Sequence, residues 1–296
     1  MNAGPGSDLV IATSIPPKIT RHDAGRDIGE AYQQHCMQSW LDAGFRVLSL
    51  NAASEIPQLK RRYPRVEFIA LSRDARALCG RPTPLLSDVL EVLRAQPQRI
   101  VGITNADIYV NVKADWHGLL AASVRHAFVV AQRADIDAKP PFNPQLYPFG
   151  YDAFFFEREA IPQNSEAPFA MGVPWWDYWL PLAFRFRGHE TRLLTGAAFH
   201  LRHPTNYEQT LWRHMAEELA DFIVATAETP GTVAAGLDAV IACARQLAAA
   251  RSSDQDEPRT SRKRFGPLDE RNDPLRHELS RACVAAISSA ARPSSP

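Results

Sequence analysis

The chain has 296 residues, and its 33 Lys and Arg residues balance its 33 Asp and Glu residues, so the formal charge is zero. This balance excludes a polyanion such as nucleic acid as the expected partner, because binding by phosphate neutralisation needs a basic excess. A hydrophobic share of 45% with 22% charged residues excludes global disorder and allows one large domain or two small ones.

Short apolar runs alternate with longer amphipathic stretches from residue 8 to about residue 110, which is typical of strand–helix–strand units. The strands are predicted at 9–12, 46–50, 66–70 and 99–104, and the helices at 28–43, 56–63 and 84–94. Four strands with helical crossovers predict an α/β protein with a mostly parallel central sheet flanked by helices.

The pattern becomes mixed after residue 110. Strands are predicted at 127–131, 151–157 and 191–201, and helices at 175–187, 206–226 and 231–251. Residues 252–296 are rich in Ser, Pro, Asp and Arg, which predicts a flexible tail with a weak helical stretch at 275–288. The predicted organisation is a flexible N-terminus at 1–7, a main domain at 8–226, a C-terminal helix at 227–251 and the tail.

The sequence has no run of about 18 apolar residues and no basic segment followed by an apolar one at its start. We therefore expect no membrane span and no signal peptide, and a cytoplasmic location.

Polar residues directly after the predicted strands are candidates for a ligand site, because open parallel sheets bind ligands beyond the carboxyl ends of their strands. The common phosphate-binding loops do not occur in the sequence. Asn105 and Asp107 follow the strand at 99–104, where the carboxylate could hold a divalent cation while its neighbour bonds a sugar hydroxyl. The alternative is that Asp107 belongs to a turn or caps a helix.

A second candidate is Asp177, which the sequence surrounds with Trp175, Trp176, Tyr178 and Trp179. Aromatic surroundings tend to raise the pKa of a carboxyl group and supply flat faces for stacking on a sugar or base. Such a group suits proton abstraction. The alternative is that Asp177 caps the helix while the Trp side chains pack in the core.

A third candidate is the pair His200 and His203, at the end of the strand predicted at 191–201. Either imidazole could be a metal ligand. Because successive side chains of a strand point to opposite faces of the sheet, the two imidazoles would not both point to the same site. The alternative is a histidine held by structural hydrogen bonds.

The order of these segments resembles that of nucleotide-diphospho-sugar transferases, and more narrowly that of glycosyltransferase-like proteins of the GT-A type. The resemblance covers about residues 8–215 and implies a GT-A-like, Rossmann-like fold with a nucleotide-sugar site. It rests on the segments IATSIP at 11–16, NADI at 105–108, GYDAFFF at 150–156, PFAMG at 168–172, WDYW at 176–179 and HLRH at 200–203.

The resemblance also implies roles for single residues. Asn105 and Asp107 match the Asp-x-Asp element, in which Asp107 would hold Mn²⁺ or Mg²⁺ and Asn105 would contact ribose or the donor sugar. Asn105 replaces the first carboxylate of that element and so removes one anionic ligand. His200 or His203 would complete the metal shell.

The remaining implied contacts are to the substrates. Thr13, Ser14 and Ile15 would lie against the base and ribose, while Asp152 and Trp176 would contact the acceptor or the donor sugar. The implied activity is sugar transfer from a UDP- or GDP-sugar to an unidentified glycan or small molecule. Metal would stabilise the diphosphate leaving group, and Asp177 would act as the base if the transfer inverts configuration.

Two other functions are open to the sequence. A nucleotidyltransferase usually has a Gly-rich basic loop after the first strand, and residues 14–18 read SIPPK instead, so this function ranks lower. A non-catalytic nucleotide- or carbohydrate-binding protein that retains the fold is the main alternative, which the Asn at position 105 favours.

Overall fold

The computed structural model describes residues 9–138, 142–162, 168–203, 208–253 and 273–289. The first elements are β1 (Leu9–Thr13), β2 (His22–Asp23), β3 (Arg26–Asp27), α1 (Gly29–Asp42), β4 (Arg46–Asn51), α2 (Ile56–Arg62), β5 (Glu67–Ala70), α3 (Arg76–Cys79), α4 (Leu86–Arg94), β6 (Ile100–Thr104), β7 (Ile108–Val110) and α5 (Trp116–Ser123). They are followed by β8 (Ala127–Ile136), β9 (Gln145–Leu146), β10 (Ala153–Glu157), α6 (Trp176–Arg185), β11 (Glu190–Leu201), α7 (Gln209–Ala227), α8 (Asp238–Ser253) and α9 (Pro274–Ser289).

A nine-stranded mixed sheet forms the centre of the fold, in the order β5-β4-β1-β6-β10-β8-β11-β7, with β9 paired to β8. β5, β4, β1 and β6 are parallel, and β10 lies antiparallel between β6 and β8, so β8 and β11 again run in the first direction. β7 pairs antiparallel with β11, and β9 pairs antiparallel with β8. The predicted α/β architecture, with a mostly parallel sheet and a helical C-terminal region, is confirmed.

Each face of the sheet carries its own hydrophobic core, which explains why β1 and β6 are buried along their whole length. Trp40 of α1 and Trp116 of α5 pack on one face, and Leu90 of α4 and Trp179 of α6 pack on the other. Parallel strands covered on both faces have continuous apolar sequences. This is the pattern by which the sequence predicted them.

The predicted and observed elements agree within two residues from β1 to β6, apart from β2, β3 and α3, which the sequence did not predict. The prediction also missed β7 and α5, and it ended β8 at residue 131, five residues before its end at Ile136. The helix predicted from residue 231 begins at Asp238, because Gly231 and Gly236 both have positive φ angles.

Residues 274–289 form helix α9, which matches the helical stretch predicted at 275–288, but the helix is packed on the core and is not part of a flexible tail. Leu279, Cys283 and Ile287 lie four residues apart on one face of this helix and are fully buried in the core. Residues 1–7, 254–272 and 290–296, on which the other predictions of flexibility fall, lie outside the described residues. In the ranges that the structure describes, no helix has the length and apolar character needed to span a membrane.

Candidate functional site

Asp107 lies in the turn between β6 and β7, at the carboxyl end of a central strand. β7 returns beside β11 with His200 opposite Ile108, which brings the His200 imidazole to the Asp107 carboxylate. Asp107 Oδ2 lies 3.3 Å from His200 Nε2. One ligand atom from each of Asp107, His200 and His203 falls within 4.8 Å of the others. The three residues predicted as metal ligands are therefore neighbours in the structure.

A chain of charged groups continues from this cluster along β8. His200 Nδ1 lies 3.2 Å from Asp135 Oδ1, and Arg133 Nε donates to the same oxygen at 2.8 Å. Arg133 Nη1 donates to Asp152 Oδ2 at 2.7 Å, and Asn105 Nδ2 donates to the other oxygen of Asp152. The sequence prediction missed Arg133 and Asp135. Their alternate spacing just beyond the apolar run of β8 is the signal that could have located them.

The charges of this chain set the protonation of its members. Burial by itself would raise the pKa of Asp107, but the hydrogen bond from His200 and the charges of His200 and Arg21 outweigh it and hold the pKa well below its usual range. Burial would lower the pKa of His200, but its hydrogen bonds to Asp107 and Asp135 raise it to about 8. The carboxylates of Asp107 and Asp135 are therefore paired with the positive charges of His200, Arg21 and Arg133.

Arg21, which the sequence prediction also missed, supplies one of those charges. It lies between β1 and α1, and its Nη2 is 2.5 Å from Asp107 Oδ2. Its side chain is 11% exposed. The carboxylate that would hold a metal is thus already paired with a guanidinium group.

The cluster fits a divalent transition metal. Two ligand atoms that each lie about 2.1 Å from one ion are separated by about 3.0 to 3.4 Å, and Asp107 Oδ2 and His200 Nε2 are 3.3 Å apart. Asp135 faces the second nitrogen of His200, as a carboxylate commonly does for a metal-binding histidine. One carboxylate and two imidazoles suit Mn²⁺ better than Mg²⁺, which prefers oxygen ligands.

Two clefts open near this cluster. The first, here called the strand-end cleft, has a volume of about 330 Å³ and is lined by Ser14 after β1, Asn51 of β4, and Asn105 and Asp107 after β6. The second, here called the aromatic cleft, has a volume of about 300 Å³. Its lining includes Tyr147, Phe149, Asp152, Trp176, Asp177 and Tyr178. Asn105 and Gly172 line both, so the two clefts adjoin.

Asp177 is a half-buried carboxyl group of the aromatic cleft, in the first turn of α6. The N-cap of this helix is Trp175, and Asp177 Oδ2 accepts the backbone N–H of Tyr151 at 2.9 Å. Burial raises the pKa of Asp177 to about 7. A carboxyl group in this state can bind and release a proton near neutral pH.

The other predicted substrate contacts divide between the clefts and the core. Ser14 lines the strand-end cleft, but Thr13, at the end of β1, and Ile15, which packs in the core on one face of the sheet, are fully buried. Neither of these two side chains reaches a ligand cleft. Trp176 lines the aromatic cleft but is 3% exposed and packs edge-on against Phe154, so much of its surface packs within the core.

The predicted site residues therefore form two groups. Asp107 lines the strand-end cleft and lies beside His200 and His203, while Asp152 and Asp177 line the aromatic cleft. Asn105 is the predicted residue that touches both clefts. The predicted site residues are thus divided between two adjoining clefts.

The sheet order and the strand-end cleft define an α/β protein with a ligand cleft at the carboxyl ends of its parallel strands. No protein-family model matches the sequence, and no curated protein matches it. Among solved structures, the chain is similar to TarS 1–349 from S. aureus, with 11% identity and a TM-score of 0.44 over 95% of this chain and 80% of that one.

Two further solved structures are similar to the chain. One is a putative nucleotide-diphospho-sugar transferase from Desulfovibrio desulfuricans G20, with 12% identity and a TM-score of 0.42 over 93% of this chain and 99% of that one. The other is the 4-diphosphocytidyl-2C-methyl-D-erythritol synthase from Anaerococcus prevotii, with 10% identity and a TM-score of 0.40 over 63% and 86%. Similarities of this size concern the overall structure and identify no substrate.

Proposed function

We propose that this protein is a metal-assisted glycosyltransferase that moves a sugar from a nucleoside-diphosphate sugar to an acceptor in the aromatic cleft. The observation that carries the proposal is the meeting of the two clefts at Asn105, with the Asp107 cluster on one side and Asp177 on the other. An inverting glycosyl transfer needs a stabilised leaving group and a base on opposite sides of one carbon atom, and this arrangement supplies a candidate for each.

The strand-end cleft is the proposed donor site. Ser14 offers a polar side chain just after the end of β1, where nucleotides bind in many open α/β sheets. Asp107, His200 and His203 would hold a divalent ion, which when bound supplies Lewis-acid stabilisation of the diphosphate leaving group. Asn105 Nδ2 already donates to Asp152, so the amide oxygen of Asn105 is the group proposed to face the donor sugar.

The aromatic cleft is the proposed acceptor site. In an inverting transfer, Asp177 takes the proton of the acceptor hydroxyl as that oxygen bonds to the anomeric carbon and the bond to the diphosphate oxygen breaks. A pKa of about 7 leaves a substantial fraction of Asp177 ionised at neutral pH, as a base requires. The part-exposed rings of Tyr147 and Phe149 offer flat faces on which a sugar acceptor could stack.

The second candidate function is a nucleotide- or carbohydrate-binding protein without catalysis. The ion pair between Arg21 and Asp107 favours it, because the cluster is neutralised without a metal. The single carboxylate among the three candidate ligands favours it as well.

Turnover of a panel of UDP- and GDP-sugars, followed as nucleoside diphosphate release with and without Mn²⁺, separates the two functions. We expect Mn²⁺-dependent release from wild type that is lost in Asp107→Ala and in Asp177→Ala. Asp137→Ala, at an exposed ion pair with Arg202 outside both clefts, serves as the control and should retain activity. Nucleotide binding that needs no metal, with no turnover and no effect of Asp177→Ala, would establish the binding protein instead.

A further inference from the structure

Arg21 places a positive charge at the position where the Asp107 cluster would hold its ion. The same carboxylate oxygen, Asp107 Oδ2, is 2.5 Å from Arg21 Nη2 and 3.3 Å from His200 Nε2. The Arg21 side chain is 11% exposed, so the ion pair is largely shielded from water. In such surroundings the charges interact more strongly than they would at the surface.

The ion and the guanidinium group compete for one oxygen atom. An ion bound by Asp107 Oδ2 and His200 Nε2 would stand beside Arg21 Nη2, so two positive groups would share one carboxylate. Repulsion between like charges is severe where water is scarce. Metal binding at Asp107 Oδ2 therefore competes with the Arg21–Asp107 contact.

Arg21 can release Asp107 without disturbing the fold around it. Its Nη1 donates to the adjacent Thr20 carbonyl oxygen, and its Nε has no hydrogen-bond partner among the described residues. The Arg21 backbone is held independently, because its N–H donates to Asp27 and its carbonyl oxygen accepts from Ile28 at the start of α1. Only the side chain needs to move.

We propose that Arg21 is a positioning residue of the donor site that holds Asp107 in the ion-free protein and exchanges with the divalent ion. Affinity for the ion alone is then low, and it rises when a nucleoside diphosphate binds, because the diphosphate oxygens accept the released guanidinium group and add ligands for the ion. The inference rests on the metal site of the proposed function.

The test is Mn²⁺ binding to the full chain, measured by the electron paramagnetic resonance signal of free Mn²⁺, with and without UDP or GDP. We expect Arg21→Gln to bind Mn²⁺ about tenfold more tightly than wild type, since one competing charge is removed. UDP or GDP should raise the Mn²⁺ affinity of wild type more than that of the variant. Arg26→Gln, at an exposed arginine of β3, is the control and should bind as wild type does.

Other outcomes would overturn the inference in distinguishable ways. If wild type binds Mn²⁺ and loses it in Asp107→Ala, but Arg21→Gln binds no more tightly, the metal site stands and the exchange does not. If neither wild type nor any variant binds Mn²⁺, with or without nucleotide, the metal site of the proposed function is wrong, and the proposed exchange is wrong as well. Arg21→Lys keeps the positive charge and should bind as weakly as wild type. Tight Mn²⁺ binding by Arg21→Lys would show that the charge of Arg21 is not what weakens Mn²⁺ binding. This result would hold even if circular dichroism shows that Arg21→Gln is unfolded.

Discussion

The backbone N–H of Tyr151 donates a hydrogen bond to Asp177 Oδ2 at 2.9 Å across 26 positions of the chain. The preceding residue, Gly150, has a φ of +85°, and a Cβ at that position would stand 2.5 Å from the same oxygen. The turn before β10 is thus shaped around the Asp177 carboxyl group. It holds one hydrogen bond on this oxygen while burial raises the pKa to about 7.

Gly150→Ala tests this close approach. The substitution adds backbone strain at positive φ and forces Asp177 Oδ2 to move, so we expect a loss of about 2 to 3 kcal/mol in the free energy of unfolding. Gly231→Ala is the matched control, because Gly231 has a φ of +84° with nothing within 4 Å of its added Cβ. It should lose about 1 kcal/mol, from strain alone. Equal losses in urea unfolding would contradict the contact with Asp177.

Asp177→Asn tests the raised pKa through the pH dependence of stability. Between about pH 4 and pH 7 the folded protein keeps a proton on Asp177 that the unfolded chain releases, so wild-type stability falls as pH rises through this window. The variant lacks this loss, and its amide oxygen can still accept from Tyr151. We expect the stability of the variant relative to wild type to increase from pH 4 to pH 8 by at most about 4 kcal/mol, since one pKa unit corresponds to about 1.4 kcal/mol. A difference that does not change with pH would show that Asp177 titrates normally.

Asp135→Asn tests the support that Asp135 gives to His200 as a metal ligand. A carboxylate on the second imidazole nitrogen fixes the ring and strengthens it as a ligand, and its loss typically costs 10- to 100-fold in metal affinity. We expect a decrease of this size in Mn²⁺ affinity, measured by titration of the free ion. Asp137→Asn, two residues further along and paired with Arg202, should bind Mn²⁺ as wild type does. Similar affinities for both variants would remove Asp135 from the site.

Ile287→Ala tests the packing of α9. This side chain is fully buried, so its truncation should lower the free energy of unfolding by about 2 to 4 kcal/mol. Glu278→Ala, at an exposed position of the same helix, should change it by less than about 0.5 kcal/mol. If the two variants unfold at the same urea concentration, α9 is not docked on the core in solution.

The α/β architecture was predictable because burial on both faces of a parallel sheet leaves a continuous apolar run for each strand. β1, β4 and β6 carry such runs, and α1 and α4 between them show helical spacing. The tail was harder to interpret, because the three buried side chains of α9 are spread through a polar sequence. Their burial depends on a surface that only the folded domain provides.

Sequence alone also singled out Asp107, Asp177, His200 and His203 as candidates, because polar residues at strand ends and a carboxylate among aromatic residues can be recognised in the sequence. It did not determine their partners. Arg21 meets Asp107 across 86 positions, and Asp135 meets His200 across 65. Only the tertiary structure decided that β7 turns back onto β11, that Thr13 and Ile15 enter the core, and that Asp107 and Asp177 line separate clefts. The physical reason is that periodicity records which side of an element is buried, whereas charge pairing depends on which elements become neighbours in space.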